Sequence, residues 1–148
     1  MKHYKNILVC LDLSEQKDNS IMEKASAIAA GNKAELNVIH VIESLAYYAT
    51  PYEIPEAAEW QNELERSAKK MIANLGKKYK IPEKHQLTPI GSPKEEIVKA
   101  AKKLGCDLIV IGSHGRHGIN LFLLGSTANG VMQFAECDVL AVRMKPAE

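Results

Sequence analysis

The chain has 148 residues, of which 46% are hydrophobic and 25% charged, and its formal net charge is +1. This length is typical of a single domain, residues 1–148, that buries its own apolar core, and the small net charge argues against attraction of the whole chain to nucleic acid or anionic lipid. Apolar runs such as Ile7–Leu11 are too short to cross a bilayer, and the residues before them do not resemble a signal peptide, so we expect a cytoplasmic protein.

Short β-rich runs alternate with longer helical patterns, which predicts an α/β fold with a parallel sheet. The first strand, Asn6–Leu11, is continuously apolar, as expected for a strand covered by helices on both faces. Ser14 can cap a helix that continues to Gly31, with a buried face of Ile21, Ala25, Ile28 and Ala29. A second strand is predicted at Glu35–Ile42.

The middle of the chain combines an irregular stretch with a long helix. Residues Glu43–Glu56 have no clean period and hold three tyrosines, Tyr47, Tyr48 and Tyr52, so this loop is a lid, a dimer contact or an apolar cover. From Ala57 to Tyr79 the pattern is helical, with an expected buried stripe of Trp60, Leu64, Ala68, Met71 and Leu75.

The second half of the chain continues the alternation of strands and helices. Ser92, Pro93 and Glu95 have the spacing of a capping box at a helix start. The predicted elements are a strand, a helix, a strand, a helix and a strand, at His85–Ile90, Pro93–Gly105, Asp107–Ile111, Thr127–Ala135 and Val139–Arg143.

The segment between the fourth strand and the last helix is rich in glycine, with Gly112, Gly115, Gly118 and Gly125. After a parallel strand, glycines let backbone N–H groups approach a ligand, and the next helix start adds unpaired donors and a partial positive charge. Arg116 adds a planar cation, and the hydroxyls of Ser126 and Thr127 can contact phosphate or Mg²⁺. The segment therefore predicts a phosphate site.

Two familiar phosphate-binding motifs do not match. A Walker loop needs a lysine after its last glycine, and no lysine follows a glycine in this segment. A dinucleotide fingerprint lies in the first strand-to-helix turn, yet Cys10–Ser14 contains no glycine. The segment is therefore not a P-loop, and an NAD-type Rossmann enzyme is disfavoured.

The spacing that does match is G-x-x-G-x9-G-[ST], formed by Gly112, Gly115, Gly125 and Ser126. With the opening strand that ends at Asp12 and the triplet His40–Ile42, this motif resembles the ATP-binding class of the universal stress protein family over essentially the full chain. The resemblance implies an open five-stranded parallel sheet in the order 3-2-1-4-5 with two helices on each face. Its ligand crevice would lie between the first and fourth strands.

The resemblance also implies contacts with ATP, possibly accompanied by Mg²⁺. Asp12 and the Val41 backbone would meet adenine or ribose, and Ile111 and Gly112 would line the nucleotide. Phosphates would be held by Gly115, Gly125, Ser126 and Thr127. Cys10 would also contact the ligand, at a position where the family often has proline or a small residue.

Several of the polar residues also have structural interpretations that do not involve a ligand. Asp12 can simply cap its turn, and His40 is more typical of a hydrogen-bonded core residue than of a catalyst. His114 and His117 lack nearby partners that would complete a metal site, so no dedicated metal site is predicted. The three cysteines, Cys10, Cys106 and Cys137, form no C-x-x-C pair and are expected to be reduced and to pack as small apolar side chains.

Three functions follow in order of preference. The first is a regulatory or stress-tolerance module that binds ATP, and the second is a slow ATPase, for which the sequence specifies no general base beyond Asp12 and the loop histidines. The third is a dimeric adaptor without nucleotide, which the intact glycine motif disfavours. We expect a homodimer through the apolar edge strand Val139–Arg143, with an unidentified protein partner possible and neither nucleic acid nor membrane as a partner.

Overall fold

A computed structural model of the chain describes residues 3–43, 55–113 and 124–143. The loop tyrosines Tyr47, Tyr48 and Tyr52, and the predicted site residue Gly115 with its neighbours His114, Arg116 and His117, lie outside the described residues.

Five strands in these ranges form one sheet in the order β3-β2-β1-β4-β5, and every neighbouring pair is parallel. The strands are β1 Asn6–Cys10, β2 Glu35–Ile39, β3 Gln86–Leu87, β4 Leu108–Gly112 and β5 Asp138–Val142. The helices are α1 Glu15–Asn32, α2 Pro55–Tyr79, α3 Pro93–Leu104 and α4 Ser126–Phe134, with a 3-10 turn at Glu83–His85. The predicted α/β fold and strand order are confirmed.

The two strands nearest the β3 edge are shorter than predicted. The β2 ladder ends at Ile39, after which an isolated bridge between Ile42 and Ile90 continues the pairing. Only two residues form β3, because His85 belongs to the 3-10 turn and Pro89 has no N–H to donate. The carbonyl of Pro89 accepts the Ile42 N–H at 2.8 Å.

The helices cover both faces of the sheet. On one face α1 and α2 pack against Ile7, Val9 and Leu11, and on the other α3 and α4 pack against Leu8 and Cys10. Side chains along a strand alternate between faces, so both faces of β1 are buried, as its continuous apolar run predicts. None of the described helices is both long enough and apolar enough to span a membrane.

The buried face of α2 differs from its predicted stripe. Ala68 and Ile72 are 3% and 1% exposed, but Trp60 and Leu64 are 57% and 48% exposed, and Met71 is also exposed. The neighbouring polar positions Gln61 and Glu65 are half-buried instead. The buried face of α2 is therefore rotated by about one residue from the predicted stripe.

A buried polar network ties together the amino ends of the strands. The fully buried Asn37 on β2 donates through Nδ2 to Asn6 Oδ1 at 2.6 Å and to the Ile7 carbonyl at 3.1 Å. Its Oδ1 accepts from Nδ1 of His85, and Asn6 Nδ2 donates to the carbonyl of Leu104 at 2.8 Å. The network lies toward the amino edge of the sheet. Loops that can form a ligand site lie at the opposite, carboxyl edge.

Both predicted N-cap residues, Ser14 and Ser92, occupy cap positions, but neither side chain makes a cap hydrogen bond. The capping box predicted for Ser92 and Glu95 is therefore wrong, although Pro93 does begin α3.

Candidate functional site

A crevice opens at the carboxyl edge of the sheet, where the neighbours β1 and β4 end. Cys10 and Ile111 are partners in the ladder between these strands. After β1 the chain turns into α1 on one face, and after β4 it returns as α4 on the other. Diverging connections of this kind leave the ligand crevice of open α/β sheets. The structure thus brings Asp12 and Gly112 to one edge, as predicted.

On the β1 side, Asp12 shapes the turn into α1. Its Oδ1 accepts the backbone N–H of Ser14 at 3.2 Å, and Leu13 adopts a left-handed conformation with φ of 62°. A branched residue such as leucine is disfavoured in this conformation. The turn-capping role expected as the plainer alternative for Asp12 is confirmed. An ionised carboxylate has about four acceptor positions, so capacity for a ligand remains.

Asp18, one turn into α1, is a buried neighbour of this turn that the sequence analysis missed. It is 4% exposed, and its Oδ1 has no hydrogen-bond partner. Its carboxyl group faces the Asp12 carboxyl and the backbone N–H groups of Asp12 and Leu13. Burial, and then the charge of Asp12, raise the pKa of Asp18 to about 7.

A signal for Asp18 was present in the sequence. It stands at helical spacing with the apolar positions Met22, Ala25 and Ala29 of α1, all of which are buried. A carboxylate at such a position must find partners or a proton.

On the β4 side, the chain is held close to the start of α4. The Ser113 N–H donates to the Val142 carbonyl at 2.8 Å, and the Ser113 carbonyl accepts the Gly125 N–H at 2.6 Å. The Ser113 hydroxyl is buried without a hydrogen-bond partner. Buried hydroxyls normally have partners, so Ser113 Oγ marks a second polar atom at this edge that a ligand can satisfy.

The amino end of α4 has the backbone donors and the partial positive charge that favour an anion. Gly125 is its N-cap and supplies no side-chain cap, and the first turn contains no acidic residue. The N–H groups of Ser126, Thr127 and Ala128 therefore lack helical partners and carry the partial positive charge of the helix end. By contrast, the first turn of α3 carries Glu95 and Glu96. Three predicted phosphate contacts, Gly125, Ser126 and Thr127, thus lie together.

The other predicted contacts are core residues. Cys10, Val41 and Ile111 are 6%, 8% and 5% exposed and belong to the cluster under α3 and α4. What they offer a ligand is an apolar wall and backbone atoms. Burial raises the pKa of the Cys10 thiol, which leaves it protonated at neutral pH and argues against a nucleophile.

His40 behaves as a hydrogen-bonded structural residue, as expected. Its Nδ1 lies 2.9 Å from the Leu11 carbonyl, which only accepts, so Nδ1 carries the proton. Within residues 3–43, 55–113 and 124–143, no three histidine, cysteine, aspartate or glutamate side chains converge as metal ligands.

Known proteins resemble this chain over nearly its whole length. The model of the universal stress protein family matches residues 3–143. Universal stress protein A homolog 2 of Coxiella burnetii is 43% identical over 145 residues, covering 98% of this chain and 99% of that relative. The solved universal stress protein UspA from Lactobacillus plantarum has a TM-score of 0.80 at 25% identity, with 97% of this chain and 100% of that chain covered.

A third comparison concerns a solved structure described as a universal stress protein in complex with cAMP. It has a TM-score of 0.60 at 23% identity and covers 95% of this chain and 98% of that chain. At this identity the likeness concerns the fold.

Proposed function

This chain belongs to the universal stress protein family, and we propose that it acts in the stress response as a regulatory module that binds ATP, with Mg²⁺, in the crevice between β1 and β4. The bound nucleotide then biases a conformation that a partner reads.

The observation that carries the proposal is the amino end of α4. Its first turn combines N–H groups that have no partner within the helix with a glycine cap and no acidic side chain, and the Ser113 hydroxyl at the same edge is buried without a hydrogen-bond partner. An anionic group with several acceptor oxygens satisfies these donors together, and a phosphate chain is such a group. Ser126 and Thr127 supply hydroxyls that phosphate oxygens or a Mg²⁺ ion can use.

The β1 side of the crevice supplies the complementary chemistry for a nucleoside. Asp12 offers carboxylate oxygens to the hydroxyls of a ribose, and Val41 and Ile111 offer an apolar wall to a base. The solved neighbour in complex with cAMP supports an adenine nucleotide as the ligand class for this fold. The cytoplasm is the compartment that we propose, since Cys10, Cys106 and Cys137 form no disulfides among themselves.

The direct test is to denature freshly purified protein, identify any released nucleotide by mass spectrometry, and titrate ATP with Mg²⁺ into the stripped chain by calorimetry. We expect about one nucleotide per chain. A folded chain that releases no nucleotide and binds none refutes the proposal and favours the nucleotide-free adaptor.

A charge placed in the first turn of α4 tests the location. Thr127→Asp adds a carboxylate where the helix dipole favours it, so the melting temperature should stay unchanged or rise slightly. The same carboxylate repels phosphate and competes for the N–H groups, so ATP affinity should fall at least about tenfold. Gln133→Glu, exposed near the other end of α4, is the matched control. Equal losses in both variants would refute the assignment.

We propose in addition that the chain forms a homodimer through β5. This strand is the edge of the sheet, and its Leu140 is 36% exposed. An unpaired apolar edge is a template for pairing with a second chain. A dimer would place two nucleotide sites in one particle, a form that a protein partner can read.

A further inference from the structure

We propose that Asp18 is a positioning residue for nucleotide binding: its protonated carboxyl group holds Asp12 in the geometry that meets the ligand, and loss of that proton weakens binding. The inference rests on the proposed nucleotide site and adds to it a residue outside the glycine motif, together with a dependence of affinity on pH.

The first observation is contact. The Asp18 carboxyl group faces three groups of the turn before α1: the Asp12 carboxyl and the backbone N–H groups of Asp12 and Leu13. When protonated, Asp18 can donate its O–H to Asp12 while accepting from the backbone. Asp12 itself accepts the Ser14 N–H at 3.2 Å. The Ser14 carbonyl in turn accepts the Asp18 N–H at 2.8 Å, so Ser14 connects the two acids and the turn into one unit.

The second observation is burial. Asp18 is 4% exposed and its Oδ1 has no hydrogen-bond partner. The core on the α1 side of the sheet is apolar and includes Val9, Leu11, Val38 and Val110. On α1, Lys17 is adjacent to Asp18 in sequence. Among the described titratable groups, the charge that acts on Asp18 is that of Asp12, which has the same sign.

A second negative charge in this unit is therefore unfavourable. Two carboxylates in contact repel each other when both are ionised, and one of them must move or take up a proton. Asp18 is fixed on a packed helix, whereas Asp12 lies in a turn that contains the left-handed Leu13. The hydrogen bond from the Ser14 N–H to Asp12 Oδ1 is at the long end of the usual range, at 3.2 Å, so it restrains Asp12 only weakly. Ionisation of Asp18 should therefore displace Asp12 from its position at the crevice.

The expected size of the effect is that of losing one hydrogen bond between Asp12 and the nucleotide. Loss of a hydrogen bond to a charged group weakens ATP binding about tenfold or more. Linkage requires the reverse effect to be equal, so a tenfold difference in affinity raises the titration midpoint of Asp18 by about one pH unit when nucleotide binds. The affinity for ATP and the titration midpoint of Asp18 therefore measure the same coupling free energy by two separate methods.

The experiment measures ATP affinity by calorimetry at about pH 6 and about pH 8.5, on either side of the expected ionisation. Three proteins are compared: the unaltered chain, Asp18→Asn and Glu23→Gln. Asparagine is neutral at both pH values and keeps a donor for Asp12. Glu23 is an exposed acid on the same helix and controls for the loss of one charge. Titration of the phosphates of ATP itself is common to all three and cancels in the ratios.

The unaltered chain and Glu23→Gln should each bind more weakly at the higher pH, by about tenfold relative to Asp18→Asn. A ratio to Asp18→Asn that is the same at both pH values overturns the inference and leaves the proposed function standing. No binding by the unaltered chain at either pH overturns the proposed function, and the inference with it.

A second measurement needs no variant and tests directly whether titration of an aspartate is coupled to ATP binding. Carboxyl ¹³C NMR of the unaltered chain should show an aspartate that titrates near neutral pH and whose midpoint rises by about one pH unit with saturating ATP. A midpoint that does not move when ATP binds overturns the inference even if Asp18→Asn fails to fold.

Discussion

Replacing Asp18 by asparagine should make the stability of the chain less dependent on pH, in a direction fixed by the burial of this side chain. The folded chain raises the pKa of Asp18 from 3.8 to about 7, first through burial and then through the charge of Asp12. Between these two values the folded state binds a proton that the unfolded state has released. The stability of the unaltered chain therefore falls as pH rises across this window, and the penalty is complete above about pH 7.

The magnitude follows from the same two values. A shift of about three pH units at about 1.4 kcal/mol each sets a ceiling of about 4 kcal/mol. Water that reaches the edge of the turn reduces this figure, so we expect Asp18→Asn to be more stable than the unaltered chain by about 2 kcal/mol at pH 8. At about pH 4, where Asp18 is protonated in both states, the two proteins should differ little.

Urea unfolding followed by circular dichroism, repeated from about pH 4 to about pH 8, gives this difference at each pH. Because the other titrating groups are common to both proteins, their contributions cancel. Glu23→Gln, which removes an exposed acid from the same helix, should follow the unaltered chain. A difference that is constant with pH, or a variant that is less stable at pH 8, would refute the reasoning about the buried carboxyl group.

Four further variants test the packing of α2, the buried polar network and the edge of the sheet. Ile72→Ala should lower the free energy of unfolding by about 2–4 kcal/mol, and Trp60→Ala by less than about 1 kcal/mol, because only Ile72 of the two is buried. Similar losses for both variants in urea titrations would contradict the assigned buried face of α2. Asn37→Leu should destabilise by about 2–3 kcal/mol, since Asn6 and His85 lose their buried partner, and a thermal melt like that of the unaltered chain would count against the network. Leu140→Lys should convert a dimer to a monomer in sedimentation velocity, whereas a monomeric unaltered chain would exclude the proposed interface.

The fold was predictable in two different ways. Strand and helix positions follow from local periodicity, and the continuous apolar run of β1 correctly indicated burial on both faces. Strand order does not follow from periodicity and came from the family resemblance. The stripe on α2 was wrong at Trp60 and Leu64 because the adjacent Gln61 and Glu65 are the half-buried residues. Long polar side chains can cover a helix face with their apolar stems, which a search for apolar periodicity does not detect.

The candidate site was likewise predictable only in part. The spacing of Gly112, Gly125 and Ser126 predicted the side of the crevice that we propose for phosphate, because glycine and a helix start are local features that a motif records. Asp18 lies outside that motif. Its helical phase with Met22 places it on the buried face of α1. Its interaction with Asp12, however, depends on a turn in which Leu13 is left-handed, and a leucine in the sequence does not predict that conformation. If the proposed function holds, the motif sets where phosphate binds, and the proposed dependence on pH comes from a carboxyl pair that only the folded turn brings together.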